Sequence, residues 1–89
     1  MELPPDLVSD LTKRLRRIEG QVRGIQSMLQ DGRDCKTVVA QISAASAAMD
    51  QVGFKLLASG LASCLTDPER AAESGFDLDE VERLFLKLA

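Results

Sequence analysis

Histidine, tryptophan and tyrosine are all absent from this 89-residue chain, and cysteine occurs only at Cys35 and Cys64. Without imidazole, histidine-based nickel or cobalt sites are excluded, and so is nucleophilic catalysis by a Cys–His pair. Aromatic residues are confined to Phe54, Phe76 and Phe85. The core must therefore come from Leu, Ile, Val, Met and Ala, as in a helical bundle, and no sheet is expected. No aromatic array is present for RNA bases to stack on, and no zinc-finger spacing occurs. Apolar runs of eighteen or more residues, which a membrane span requires, are missing too. The Met-Glu-Leu-Pro-Pro-Asp start lacks a basic region followed by an apolar run, so no secretory signal is expected and the protein reads as cytoplasmic. In a reducing compartment two cysteines point to a metal or redox site rather than to a structural disulfide.

The length fits one small domain over residues 1–89. A chain this short buries only about 60 to 65% of the surface its unfolded form exposes, which makes oligomerisation an ordinary remedy. A net charge of −3 argues against a nucleic-acid partner on its face, but the charge is segregated. Five basic residues, Lys13, Arg14, Arg16, Arg17 and Arg23, stand against Glu19 alone between positions 13 and 23. From Asp67 onward seven acidic residues face Arg70, Arg83 and Lys87. The average hides a basic segment and an acidic tail.

The apolar periodicity predicts three helices. The first starts near Asp6 or Ser9 and carries Leu11, Leu15, Ile18, Val22, Ile25 and Leu29, alternating four and three apart as a heptad seam. Asp31-Gly32 ends it. Asp34 caps the second helix, which places Cys35 in its first turn and runs to about Leu65, where Asp67-Pro68 stops it. Its seam is Val38, Ile42, Ala45, Met49, Val52 and Leu56, although Gly53 and Gly60 each cost about 1 kcal/mol relative to Ala in a helix interior. A polar connection over 67–75 leads to a short third helix from Asp77, with Leu78, Val81, Leu84, Phe85 and Leu88 on its apolar face.

Lys13, Arg16, Arg17 and Arg23 fall opposite the seam of the first helix, and Arg14 flanks it. One face packs and the other is positive. An ordinary solvated face would have this pattern; so would a phosphate-binding surface, which dimerisation would double and whose affinity would depend on salt. No helix-turn-helix spacing is visible.

The two thiols also admit two readings. Free cysteine is a common small core residue, inert when buried. Yet on an unbroken helix the twenty-nine residues between Cys35 and Cys64 correspond to roughly 43 Å of rise, and the turn per residue brings the two positions to within roughly 20° of one another. Two copies packed antiparallel would bring Cys35 of one beside Cys64 of the other. Cys35 sits where a helix N-terminus stabilises a thiolate, with Arg33 and Lys36 as sequence neighbours and Asp34 opposing them. Zinc wants four ligands and finds too few here; copper(I), being soft, tolerates two thiolates; oxidation to a di- or polysulfide needs only the sulfurs themselves.

With these residues in view, the chain resembles the copper-sensitive operon repressor family, CsoR/RcnR. The likeness runs from Leu11 to Leu65 through Arg14-Leu-Arg-Arg-Ile-Glu-Gly-Gln-Val-Arg-Gly-Ile25, Asp34-Cys35, Gln41-Ile-Ser-Ala-Ala45 and Cys64. It implies an all-α fold with an antiparallel four-helix dimer core, a dimer-of-dimers tetramer, and repression of G/C-rich operator DNA through first-helix arginines. No enzyme activity is expected. Cys35 and Cys64 match the two cysteines of the copper-sensing site, while the histidine four residues before the second cysteine falls on Gly60. The tyrosine often found before the first cysteine is Asp34, a second-helix arginine of some members becomes Gln51, and Glu80 corresponds to a third-helix acidic residue linked to allostery. Gly60 and Glu80 are thus the positions expected to couple the thiol site to DNA binding.

Two cysteines without the histidine resemble the CstR branch, which senses reactive sulfur species such as glutathione persulfide and polysulfides. That likeness implies cross-linking of Cys35 to Cys64 of the partner subunit, release of DNA, and no metal or other cofactor. The alternative is a copper(I) sensor using Cys35 and Cys64 alone.

Overall fold

The computed structural model describes residues 3–89, and every regular element among them is helical. Four helices follow one another: α1 (Pro5–Gln30), α2 (Cys35–Thr66), α3 (Pro68–Glu73) and α4 (Leu78–Leu88). The expectation of three helices is corrected by α3, a short helix inside the supposed connection. Asp67-Pro68 stops α2 and also starts α3, because Asp67 accepts a hydrogen bond from the Arg70 N–H at 3.3 Å and Pro68 occupies a first-turn position that has no use for an N–H. The same preference moves the start of α1 forward to Pro5, so Asp6 lies in the first turn instead of capping it.

Two glycines close their helices. Gly32 has φ 71° and Gly75 has φ 76°, the left-handed region that only glycine enters freely. After α1 the Arg33 N–H bonds the Met28 carbonyl at 3.0 Å and the Gly32 N–H bonds the Leu29 carbonyl at 3.3 Å. After α3 the Phe76 N–H bonds the Ala71 carbonyl at 2.9 Å and the Gly75 N–H bonds the Ala72 carbonyl at 3.0 Å. Both ends are therefore Schellman motifs, which satisfy the last helical carbonyls and turn the chain back.

The chain divides into two compact units. In residues 6–52, a helical hairpin of α1 and the first half of α2, the two heptad seams are covered unequally. Leu11 and Ile18 of α1 are buried, as are Val38, Ala45 and Val52 of α2. Their alternating partners are open: Leu15, Val22 and Leu29 are 38%, 46% and 64% exposed, and Ile42 and Met49 are each 48% exposed. Each helix thus buries one of its two apolar positions per heptad within the chain and presents the other outward.

In the second unit, residues 53–89 with residues 3–5, the later part of α2 packs with α3 and α4. Buried Cys64, Ala71 and Val81 cluster with half-buried Phe76, and Phe54 meets Phe85 edge-on with ring centroids 5.6 Å apart. The helix-interior glycines find their reason here. A Cβ on Gly53 would lie 2.9 Å from Leu88 Cδ1, and one on Gly60 would lie 1.9 Å from Phe76 Cε1. Both glycines trade helix propensity for close approach, and α2 passes through them unbroken.

Asp34 accepts a hydrogen bond from the Thr37 N–H at 2.7 Å and caps α2 as the sequence predicts; the bonds to Thr37 hold its carboxyl below the ordinary value, with Arg33 adding to the effect. Asp77 caps α4 in the same way through the Glu80 N–H at 2.9 Å. A carboxyl whose folded-state pKa is depressed stabilises the fold above its unfolded pKa of about 3.9, and that contribution is lost as pH falls through the lower folded value. Amide exchange at Thr37 is therefore expected to stay protected at neutral pH and to accelerate, relative to mid-helix amides, only below about pH 4. Replacing Asp77 by Ala is expected to lower stability in urea by about 1 kcal/mol, with Asp77→Asn close to wild type.

Candidate functional site: two thiols and a basic helix face

Cys35 is the first residue of α2 and is exposed; Cys64 lies two residues before the end of the same helix and is buried, 4% exposed. The condition that the helix be continuous is met. Each thiol has a different local chemistry. Cys35 stands at the end of α2 where the first N–H groups point outward, beside the Asp34 cap. Cys64 donates its S–H to the Phe76 carbonyl at 2.8 Å and also lines a cleft of about 370 Å³ with Pro68, Ala71, Asp77 and Asp79. Two carboxylates, Asp77 and Asp79, thus flank Cys64 on that side.

Gly60 proves to be a packing position. It is one helical turn before Cys64, on the same face, and the Phe76 ring occupies the space any side chain there would need. Glu80 lies on α4, half-buried, and accepts from Arg83 Nε at 3.0 Å and from a second Arg83 nitrogen. That bond to Arg83 lowers the Glu80 pKa and raises that of Arg83. Glu80 is thus occupied along its own helix, and the acidic groups lining the Cys64 cleft are Asp77 and Asp79. Among the described residues no cluster of three or more Cys, Asp or Glu side chains is assembled that could hold a metal ion within one chain.

On α1, Lys13, Arg16, Arg17 and Arg23 are exposed, as their positions opposite the seam require. Arg14 is half-buried and its Nε donates to Asp10 Oδ2 at 3.1 Å, which follows from its place beside the seam. A partly exposed pair of this kind is worth about 0 to 1 kcal/mol. No described helix is long and apolar enough to cross a membrane.

Phe76 is what sequence reasoning missed. It reads as one core aromatic among three, whereas the structure sets its ring over Gly60 and its carbonyl on Cys64. The signal was Gly75-Phe76 after a short helix, since the residue following a left-handed glycine is turned back toward the body of its own unit.

The sequence profile of the metal-sensitive transcriptional repressors matches residues 8–87. The copper-sensing transcriptional repressor CsoR of Bacillus subtilis is 40% identical over 77 residues, covering 86% of this chain and 76% of that protein. The copper-sensing transcriptional repressor RicR of Mycobacterium tuberculosis is 46% identical over 63 residues, or 71% of this chain and 64% of that protein. Among solved structures, the copper-sensing repressor CsoR with Cu(I) from Geobacillus thermodenitrificans superposes with a TM-score of 0.73 at 36% identity, over 96% of this chain and 85% of that one. On these matches this chain belongs to the metal-sensitive transcriptional repressor family of CsoR type.

Proposed function

We propose that this chain is a cytoplasmic repressor whose single domain binds operator DNA through the basic face of α1 and releases it when an effector is taken up by Cys35 of one protomer and Cys64 of the partner subunit. The carrying observation is the placement of the two thiols at the two ends of one unbroken helix. Thiols so placed pair between antiparallel chains, not within one. The open heptad positions Leu15, Val22, Leu29, Ile42 and Met49 support an antiparallel four-helix dimer, since covering each contributes on the order of 1 kcal/mol. A tetramer of two such dimers is the assembly proposed on DNA, and the role is binding and sensing, without catalysis.

Copper(I) is the effector that the relatives' names support. The donor set fits it in one way only. Two soft thiolates suffice for two-coordinate copper(I), whereas a third imidazole donor does not fit, because the chain has no histidine and position 60 is filled by Phe76.

That same filling favours a second reading, in which reactive sulfur is the effector. The Cys35 thiolate attacks the outer sulfur of a persulfide R–S–SH, forming Cys35–S–SH and expelling RS⁻. The partner's Cys64 thiolate then attacks the Cys35 sulfur, forming the intersubunit disulfide and expelling HS⁻. Neither step needs a third donor, and longer sulfur chains would give the polysulfide analogues.

DNA binding is tested by fluorescence anisotropy on G/C-rich duplexes. The apparent affinity is expected to fall linearly with log salt, and Arg16→Ala with Arg17→Ala is expected to flatten the slope by about one unit per phosphate contact removed. An unchanged slope would exclude this face as the DNA surface. The effector is tested on the reduced, DNA-bound protein. Copper(I) is expected to release the DNA, and Cys35→Ser or Cys64→Ser to prevent release. Should copper(I) leave the complex intact while glutathione persulfide releases it and yields a covalent dimer by mass, the sulfur reading takes its place.

A further inference from the structure

Phe76 meets Cys64 twice. Its ring lies over Gly60, so that a Cβ there would come within 1.9 Å of Cε1, 2.7 Å of Cζ and 2.9 Å of Cδ1. Its carbonyl accepts the Cys64 S–H at 2.8 Å. The residue has little freedom to do otherwise. Gly75, at φ 76°, turns the backbone so that the Phe76 N–H returns to the Ala71 carbonyl at 2.9 Å, and Asp77, next in line, is the cap of α4. Ring, carbonyl and N–H are each fixed by a different neighbour.

We propose that Phe76 is the specificity-determining residue of the thiol site: its ring denies Cys64 a third donor from the preceding turn of α2, and its carbonyl holds the S–H bond that any effector must displace. The proposal rests on the assignment of Cys64 as an effector thiol. A sulfur bonded to a metal ion or to another sulfur has no proton to donate, so loading Cys64 takes from the Phe76 carbonyl the donor it now has. Phe76 joins the closing turn of α3 to the cap of α4, and it is the first residue released when the site fills. What is sensed at the end of α2 is thereby passed to the helices that follow. A glycine is required at position 60 because the ring must lie against bare backbone.

Alkylation of the reduced, metal-free, full-length protein by iodoacetamide, followed at each cysteine by peptide mass, reads the first half of this without any effector. Exposed Cys35 serves as the internal reference. Cys64 is expected to react more slowly than Cys35 by about tenfold or more, and Phe76→Ala and Gly60→Ala are each expected to recover much of that difference while Cys35 keeps its rate. Equal Cys64 rates in wild type and both variants would overturn the proposal. Copper(I) coordination reads the other half and separates a specific role from mere loosening. By X-ray absorption, wild type and Gly60→His are expected to show sulfur donors only, and Gly60→His with Phe76→Ala to gain a nitrogen donor. A nitrogen donor in Gly60→His alone, or none in the double variant, would show that Phe76 does not decide the ligand set. Failure of wild-type protein to bind operator DNA would instead sink the repressor reading and leave the alkylation result standing.

Discussion

Each long helix carries two apolar positions per heptad, and one chain covers only one of them. Leu11 and Ile18 are buried with Val38, Ala45 and Val52, while Leu15, Val22, Leu29, Ile42 and Met49 face outward. Half a coiled-coil seam is poor stabilisation for a chain of this size, where apolar burial barely exceeds the loss of conformational entropy. The rest follows from that constraint. A second copy covering the open positions in the antiparallel sense, as proposed, would also juxtapose the first residue of one α2 with the last turn of the other, which is where the two cysteines are. In the proposed dimer, folding and sensing would then draw on one interface.

Charge follows the same division of labour. The seam side of α1 carries its apolar residues, so Lys13, Arg16, Arg17 and Arg23 lie on the far side, exposed. Four of the five are unencumbered in this way, and the fifth, Arg14, is held by Asp10 at the margin of the packed face. Seven of the fourteen acidic residues lie from Asp67 onward, where Asp67 and Asp77 cap α3 and α4 and Asp77 and Asp79 line the cleft beside Cys64. An overall charge of −3 is thus compatible with a phosphate-binding surface because basic residues outnumber acidic ones five to one between positions 13 and 23.

Most of the fold was legible because it is written in periodicity and punctuation. The heptads of α1 and α2, the Gly32 terminus and the Asp34 cap are local signals, each with a local cause, and each lies where the sequence places it. The failure at 68–73 has a cause of the same kind: Pro68 was read only as a stop, although proline after aspartate is also a favourable start. That both thiols lie on one continuous helix was legible, but their unequal burial was not. Phe76 was invisible as a site residue because its role depends on contacts twelve and sixteen positions back along the chain, and no periodicity records those.

Gly60 shows how such a non-local contact can decide chemistry. Read along α2 alone, it is a defect costing about 1 kcal/mol of helix propensity. Read across to Phe76, it is a requirement, since even a methyl group would collide with the ring. Position 60 is also where the resemblance to copper sensors places a histidine, so one substitution removes a metal donor and admits a packing partner at once. The two changes are mutually dependent. A histidine cannot return while Phe76 stays, and without the glycine Phe76 cannot lie close enough for its carbonyl to reach Cys64. If Cys35 and Cys64 form the proposed site, the chemistry open to it is what two sulfurs can carry out unaided, whether that is the capture of a soft monovalent metal or the exchange of sulfur.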